Sequence, residues 1–353
     1  MTGHDAGGHG DGRRGRRSGA LKAVGLVLAG ALVLGAGAAG WMYRHLNDNI
    51  TSVDIDNALG DDRPARAVTT PSPSGTASAA PLPTEAVTIL VLGSDSRSGA
   101  ENQELGGGDS TGARSDTAMV VHVDAGRTAA TIVSIPRDTL VTRPSCPLPS
   151  GGSTAVAYGA MFNTAYSVGG PVCAVKTVES MTDVRMDHFV EVDFAGFAEL
   201  VDALGGVTVT TTEDIDDEDS HLCLTAGTHH LDGTRALALA RTRHGIGDGS
   251  DLGRIGLQQT LVKALLEQIS TTDLLTGPTR LYQVADALTG SLTTDTGLDS
   301  LAELTELGQS LKGLSAQHVT TVTLPVVTAP SDPNRVVAAE PAASDLWKSL
   351  NRG

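Results

Sequence analysis

Aromatic residues make up only 3% of the 353-residue chain, and Ala, Gly, Leu, Val and Thr carry the composition. Three cysteines without a CxxC spacing leave no basis for a cysteine-built zinc or redox centre. Neither GxSxG nor HExxH occurs, so serine-hydrolase and zincin chemistry lack their signatures. The glycine clusters Gly106-Gly-Gly108 and Gly245-Ile-Gly247 have no P-loop lysine and no Rossmann context, and they read as flexible loops. Excess positive charge is also missing. A formal net charge of -16 would repel a nucleic-acid backbone over most of the surface, which argues against nucleic acid as a partner. An anionic small ligand would therefore need a local positive pocket or a bridging cation. No internal repeat is visible, and Asp214 to Asp219 reads as a solvated acidic loop rather than a calcium site.

One long apolar run is present. Ala23 to Tyr43 is uncharged over about twenty residues, enough for a helix to cross a bilayer core. Trp41 and Tyr43 stand at one end as interfacial aromatics do, and Arg13, Arg14, Arg16, Arg17 and Lys22 precede the run. The positive-inside bias predicts a retained type II anchor in the cell membrane, with the N-terminus cytoplasmic and the remainder extracytoplasmic. A cleaved signal peptide is the competing reading, disfavoured by the length of the run and the lack of a clear small-residue cleavage pattern. Residues 1–22 read as a disordered tail, 23–43 as the membrane helix and 44–86 as a linker, richest in Pro, Ser, Thr and Ala from residue 63, with a short strand possible at Val53 and Ile55. The folded domain is expected over 87–353. Cys146 and Cys173 flank a Gly/Ser/Ala-rich stretch and could be joined in an oxidising compartment, leaving Cys223 unpaired; three unrelated buried thiols are the alternative.

Within that domain, Val87–Leu92, Thr117–Asp124 and Ala129–Ile135 are short β-branched runs, and the tight Asp124-Ala-Gly-Arg127 turn predicts an antiparallel hairpin between the second and third. A long loop is expected from Thr142 to about Gly159. Phe197, Leu200, Val201 and Leu204 keep helical spacing and Gly205-Gly206 ends the helix, after which Val207–Thr210 alternates as a strand. Asp251 is a plausible N-cap of a helix to about Ile269, with Leu257, Leu261, Leu265 and Ile269 in one stripe and Arg254 and Gln258 sharing a face. Two weaker helices and a last strand at Val319–Leu324, completing the same sheet, should follow. Intermingled strands and helices predict an α/β fold, an α-β-α sandwich on a mixed sheet.

If the first run is also antiparallel to the second, Asp95, Arg97, Arg114, Asp116, Arg137 and Asp138 converge on one sheet edge. Carboxylates suit magnesium and arginines suit phosphate, so the interleaved set suggests a metal with a pyrophosphate. For any single pair, a solvated ion pair at a loop end is the plainer reading. Arg241-Thr-Arg243 adds two cations that would project from the same side in extended backbone.

The ordered motifs Leu92-Gly-Ser-Asp95-Ser-Arg97, Arg114-Ser-Asp116, Val133-Ser-Ile-Pro-Arg137-Asp138, Val192-Asp-Phe194, Val201-Asp-Ala-Leu-Gly-Gly-Val207, Leu231-Asp-Gly233, Arg241-Thr-Arg243-His244 and Asp251-Leu-Gly-Arg254 closely resemble the LytR-CpsA-Psr family of cell-wall glycopolymer transferases, in an actinobacterial-looking version. The likeness covers a motif core from about 87 to 270, with 271–353 as its C-terminal completion. It implies transfer of a glycopolymer from polyprenyl pyrophosphate to peptidoglycan through a phosphodiester, releasing polyprenyl phosphate. It also implies a Mg2+ cofactor held by Asp95 and Asp116. Arg114, Arg137, Arg241, Arg243 and Arg254 would contact the diphosphate, with Arg97, Asp138 and Gln258 in support. Asp116 or Asp95 is the nearest candidate general base. The polyprenyl chain would need an apolar groove, for which the Leu257–Ile269 stripe or the Phe197–Leu204 helix are candidates, with ordinary core as the equally good reading of both stripes. A magnesium-dependent polyprenyl-pyrophosphate hydrolase and a non-catalytic polyprenyl-phosphate-binding wall or regulatory protein use the same residues. Where the family often carries a second basic residue one turn beyond Arg254, this chain has Leu257, which removes one expected phosphate or headgroup contact.

Overall fold

The computed structural model describes residues 37, 39–66, 85–94, 115–148, 150–243, 251–271 and 277–351, without the side chains of Ser115, Asp116, Thr271 and Pro278. It divides into two units, Met1–Asp48 and Asn49–Gly353. The described part of the first is a helix, α1, over 39–48, in which the Trp41 and His45 rings stack at 5.3 Å. Among the described residues no helix is long and apolar enough to cross a membrane, and the tail 1–22 and the expected span 23–43 lie outside them except for 37 and 39–43.

The second unit runs β1 (Thr51–Val53), α2 (Ile55–Leu59), β2 (Val87–Ser94), β3 (Ser115–Val123), β4 (Ala130–Ser134), β5 (Leu140–Arg143), β6 (Ala157–Met161), α3 (Asn163–Thr182), β7 (His188–Asp193), α4 (Phe194–Ala203) and β8 (Val207–Thr211). It continues with β9 (Ile215–Asp217), β10 (Leu222–Leu224), β11 (Gly227–Leu231), α5 (Gly233–Arg241), α6 (Asp251–Thr271), α7 (Pro278–Ser291), β12 (Leu292–Asp295), α8 (Leu301–Ser310), β13 (Val319–Thr323), β14 (Val326–Ala329), β15 (Asp332–Ala338) and α9 (Ala342–Leu350).

Among the described residues seven strands make one mixed sheet in the order β1-β12-β7-β2-β3-β4-β13. Both predicted antiparallel pairings are present, β2 with β3 and β3 with β4, and β7 and β13 add parallel neighbours to β2 and β4. Alternation along each strand sorts side chains to two faces. Leu90, Leu92, Val120, Val133 and Phe189 meet α3 and α9 through Ala174, Val175, Val178 and Trp347. Met119, Val121, Val123 and Ile132 meet Val262 and Leu266 of α6 on the other face. Helices thus cover both faces of a mixed sheet.

Local signals explain most helix ends. Asp193 caps α4 by accepting from Gly196 N at 2.8 Å, and Gly205 and Gly206 supply the positive φ values of 80° and 88° that turn the chain into β8. Asp232 caps α5 through Arg235 N at 2.8 Å. Gly233 lets α5 pack closely on α4, because a Cβ there would lie 2.0 Å from the Ala198 carbonyl oxygen.

Several expectations are corrected. The region expected as a linker over 44–86 includes β1, which joins the sheet beside β12, and α2, whose Ile55 and Leu59 enter the main core; Val53 is strand but Ile55 is helix, and 67–84 lie outside the described residues. The loop expected over 142–159 is in part the β5–β6 hairpin. Helix α3, kinked at Gly169-Gly170-Pro171, was not foreseen. The strand expected over Val207–Thr210 is present as β8, paired with β11 outside the central sheet. Strand β13 joins the sheet as expected but is not the last element, since the β14–β15 hairpin and α9 follow. Arg241 closes α5 rather than lying in extended backbone, so the side-by-side projection predicted for Arg241 and Arg243 does not hold. The two stripes suggested for a lipid groove fill a separate core: Val201, Leu257 and Leu261 are buried there with Val207 and Leu231, and Phe197 and Leu265 pack against it. Only Ile269 is left largely exposed, at 46%.

Candidate functional site

Strand direction decides where polar residues collect. β2, β4, β7 and β13 run the same way, so Ser94, Ser134, Asp193 and Thr323 end at one edge, where β3 begins. Open α/β sheets place ligands at such carboxyl ends of strands. A β-bulge pairs Gly93 with Thr117 and Ser94 with Ser115, leaving Asp116 as the extra residue of the bulge. Asp95 follows Ser94 in the chain. Asp95, Arg97, Arg114 and His244 lie outside the described residues, and only the backbone of Asp116 is described. Among the described residues no group of three His, Cys, Asp or Glu is arranged to hold a metal ion.

Arg137 and Asp138 follow β4 at this edge. Arg137 N donates to Asp251 Oδ2 at 3.2 Å, and its Nε lies 3.5 Å from Asp251 Oδ1 and 3.6 Å from Asp138 Oδ2. Arg254 Nη2, one turn along α6, pairs with the same Asp251 Oδ1. Arg254 is only 2% exposed, and a guanidinium so buried requires a counter-charge, which Asp251 provides. Asp251 opens α6, where the helix dipole also favours a carboxylate. Asp138 is approached from its other side by Arg335 of β15, Nη1 to Oδ1 at 3.5 Å.

A second group sits beside β3. Gln258 Nε2 donates to Thr117 Oγ1 at 2.9 Å and to the Ala240 carbonyl at 3.0 Å. Arg241 comes next after Ala240, and its guanidinium lies 5.3 Å above the Phe194 ring, directly after the end of β7. Gln259 Nε2 reaches Ser134 Oγ and Thr323 Oγ1, both at 3.2 Å. Helix α6 is thereby fastened along the edge to β3, β4, β13 and α5. Arg243 N donates to the buried Asp217 at 2.6 Å. Leu257, the expected gap in the basic set, faces the core at 7% exposure, where a cation would find no partner.

Beneath this edge Tyr166 of α3 donates its hydroxyl to Glu191 of β7 at 2.5 Å. Burial pushes the phenol well above its ordinary pKa, and the hydrogen bond and charge of Glu191 add to that, so it remains a donor. Cys146 and Cys173 form a disulfide near the hairpin, and Cys223 is free and exposed.

Sequence reasoning missed the roles of four of these residues. Asp251 was read only as a helix cap, although its three-residue spacing from Arg254 signals a side-chain pair. Arg335 and the Tyr166–Glu191 bond had no local signal, since both depend on elements that sequence periodicity did not reveal.

Guanidinium groups and carboxylates interleave along the carboxyl edge of a mixed α/β sheet, an arrangement whose chemistry suits an anionic, phosphate-type ligand. The LytR_cpsA_psr family model matches residues 42–352. Among curated relatives, the probable cell wall biosynthesis protein LcpB of Corynebacterium glutamicum is 33% identical over 68% of this chain and 54% of its own length, and LcpA of the same organism is 32% identical over 69% and 50%. TagV of Bacillus subtilis, a polyisoprenyl-teichoic acid--peptidoglycan teichoic acid transferase, is 30% identical over 67% and 58%. The chain spans about half the length of the curated relatives it matches. Among solved structures, the LytR-Csp2A-Psr enzyme from Actinomyces oris has a TM-score of 0.60 at 25% identity, covering 86% of this chain and 96% of that one. The chain belongs to the LytR-CpsA-Psr family.

Proposed function

We propose that this chain transfers a glycopolymer from a polyprenyl-pyrophosphate carrier to peptidoglycan. An acceptor hydroxyl attacks the phosphorus that carries the glycan, the bond to the bridging oxygen breaks, a phosphodiester forms and polyprenyl phosphate departs. Family membership and the name of TagV as a teichoic acid transferase support this reading. The observation that carries it is the single edge on which Arg137, Asp251 and Arg254 form one ion cluster while Gln258 ties Thr117 of β3 to the end of α5 at Arg241.

Phosphoryl transfer is assisted chiefly by alignment and by neutralising charge on the phosphate oxygens. Arg137 and Arg241 would grip those oxygens with paired hydrogen bonds, and Arg114 and Arg243 would extend the grip. Arg254, nearly fully buried behind Asp251, would fix Arg137 and reinforce the positive field, with Arg97 and Asp138 in support. Gln258 acts by holding α5 against β3 rather than by touching phosphate. Asp95, next in sequence to Ser94, and Asp116, the bulge residue after Ser115, would suit a magnesium ion by their chemistry, because hard carboxylate oxygens bind a cation that also takes phosphate oxygens. When bound, that ion would withdraw charge from the diphosphate. Asp116 or Asp95 would accept the proton of the attacking hydroxyl. An anchor over 23–43 would keep the domain on the extracytoplasmic face of the membrane, within reach of a lipid-borne donor.

The test incubates the full chain in detergent with a polyprenyl-pyrophosphate glycan and magnesium, with and without peptidoglycan. Glycan joined to peptidoglycan by a phosphodiester, with polyprenyl phosphate released, is the expected product. Release of free glycan phosphate without any joining would identify a hydrolase, and tight lipid binding without turnover would identify a non-catalytic binder.

A further inference from the structure

The sheet has a second polar edge, opposite the arginine-rich one. There a small recess with a cavity volume of about 20 Å³ opens, lined by Arg66, Glu85, Thr88, His122, Arg185 and Asp187 among others. Thr88 and His122 face each other across β2 and β3 at the far end of the same ladder whose other end carries Ser94 and Ser115.

The hydrogen bonding here is unbalanced in one direction. His122 is only 7% exposed; its Nδ1 meets Thr88 Oγ1 at 2.9 Å, while its Nε2 has no partner. When Nδ1 accepts from the Thr88 hydroxyl, Nε2 carries the proton and is a buried donor without an acceptor. Arg185 bonds Asp56 through Nη2 at 3.2 Å, but its Nε is buried and unbonded. In the adjoining β3–β4 turn Arg127 is 8% exposed, with both Nε and Nη1 buried and unbonded. Two of the three carboxylates nearby, Asp187 and Asp124, are engaged, and the third, Glu85, is exposed at the rim. Asp187 accepts from Thr88 N at 2.9 Å and lies 3.4 Å from Arg66, and Asp124 accepts from Thr128 N at 2.8 Å and Ala129 N at 3.0 Å. Buried polar atoms rarely go unbonded, so a ligand that brings acceptors would complete this set.

We propose that this recess is a second binding site, taking a small oxyanion, a carboxylate or a phosphate group, held by His122 Nε2–H and by the Arg185 and Arg66 guanidiniums. The site stands apart from the transfer chemistry and does not depend on it. Burial keeps the His122 imidazole below its ordinary pKa of 6.5, while Asp187 and Asp124 pull it up and Arg127 pulls it down. An oxyanion bound against Nε2 adds negative charge and raises that pKa.

The experiment follows the ring nitrogens of His122 by NMR in the full, histidine-labelled chain, with His122→Gln assigning the signal. Sodium phosphate and sodium acetate are titrated separately at constant ionic strength. A saturable shift of the His122 signal, with its titration midpoint moved upward, is expected from at least one of the two, and the one that acts names the class. Arg66→Gln, an exposed change that leaves the fold intact, should weaken that response several-fold. No saturable shift with either anion up to about 50 mM, a concentration that would fill even a site with a millimolar Kd, overturns the proposal. So does a shift that Arg66→Gln leaves unchanged.

Discussion

Replacing Gln258 by Leu removes one side-chain amide and keeps nearly the same volume. In the native fold that amide donates to Thr117 Oγ1 and to the Ala240 carbonyl. Ala240 is among the last four residues of α5, whose carbonyls have no partner within the helix, so Gln258 serves as a cap from a neighbouring element. Two neutral hydrogen bonds contribute about 1 kcal/mol each, and stranding a carbonyl adds a desolvation cost, giving a loss of about 2–3 kcal/mol. For a domain of roughly 300 residues that corresponds to a fall in Tm of about 3–5 °C. The effect on activity should be larger than the effect on stability. Arg241 follows Ala240, and a misplacement of about 1 Å at a phosphate-gripping group lowers the rate on the order of a hundredfold. Thermal unfolding and the peptidoglycan transfer assay measure the two effects. Gln258→Glu, which keeps size and loses the donors, should behave as Leu does. A variant with Tm within 1 °C of the parent and full transfer activity would refute the positioning role of Gln258.

Asp251→Asn keeps an acceptor for Arg137 N but removes the charge between two guanidiniums, so a loss of about 2–4 kcal/mol is expected in urea unfolding, partly recovered by added phosphate. Cys173→Ser opens a loop of 27-residue separation and should cost about 3.5 kcal/mol by the chain-entropy relation, matched by adding reductant to the parent. His122 has a folded-state pKa depressed below 6.5, so the unfolded chain takes up a proton first as pH falls. Its contribution is therefore complete above about pH 6.5 and declines below it, and His122→Gln should flatten the urea midpoint between about pH 5 and 7. Arg335→Ala removes a half-buried contact to Asp138 and should lower stability by about 1 kcal/mol or less in urea unfolding, while reducing transfer measurably in the peptidoglycan assay.

The central hairpin and the edge it builds were legible because period-two alternation and the Asp124-Ala-Gly-Arg127 turn are local signals that tertiary packing did not override. Helix α4 was legible for the same reason, through its i, i+3, i+4 spacing and the two glycines at its end. Helix α3 was hidden by Gly169-Gly170-Pro171, which a linear reading takes as a break, although the fold absorbs it as a kink between two packed halves. Strand β1 lay in a stretch whose polar character suggested a linker, and only its partner β12, over two hundred residues later, makes it strand. The same distance effect concealed Arg335 and the Tyr166–Glu191 bond. Spacing could show that Leu257 and Leu261 share a stripe, but not that α5, β8 and β11 supply a core to cover it, so a groove and a packed interior were both open readings and the packed interior is what exists.

The most direct measurement is a structure of the chain bound to magnesium and a polyprenyl diphosphate. The account predicts phosphorus-bound oxygens within hydrogen-bond reach of the Arg137 and Arg241 guanidiniums, with the metal between them and the carboxylates of Asp95 and Asp116. A diphosphate seated elsewhere, with both arginines free of it, would contradict the account.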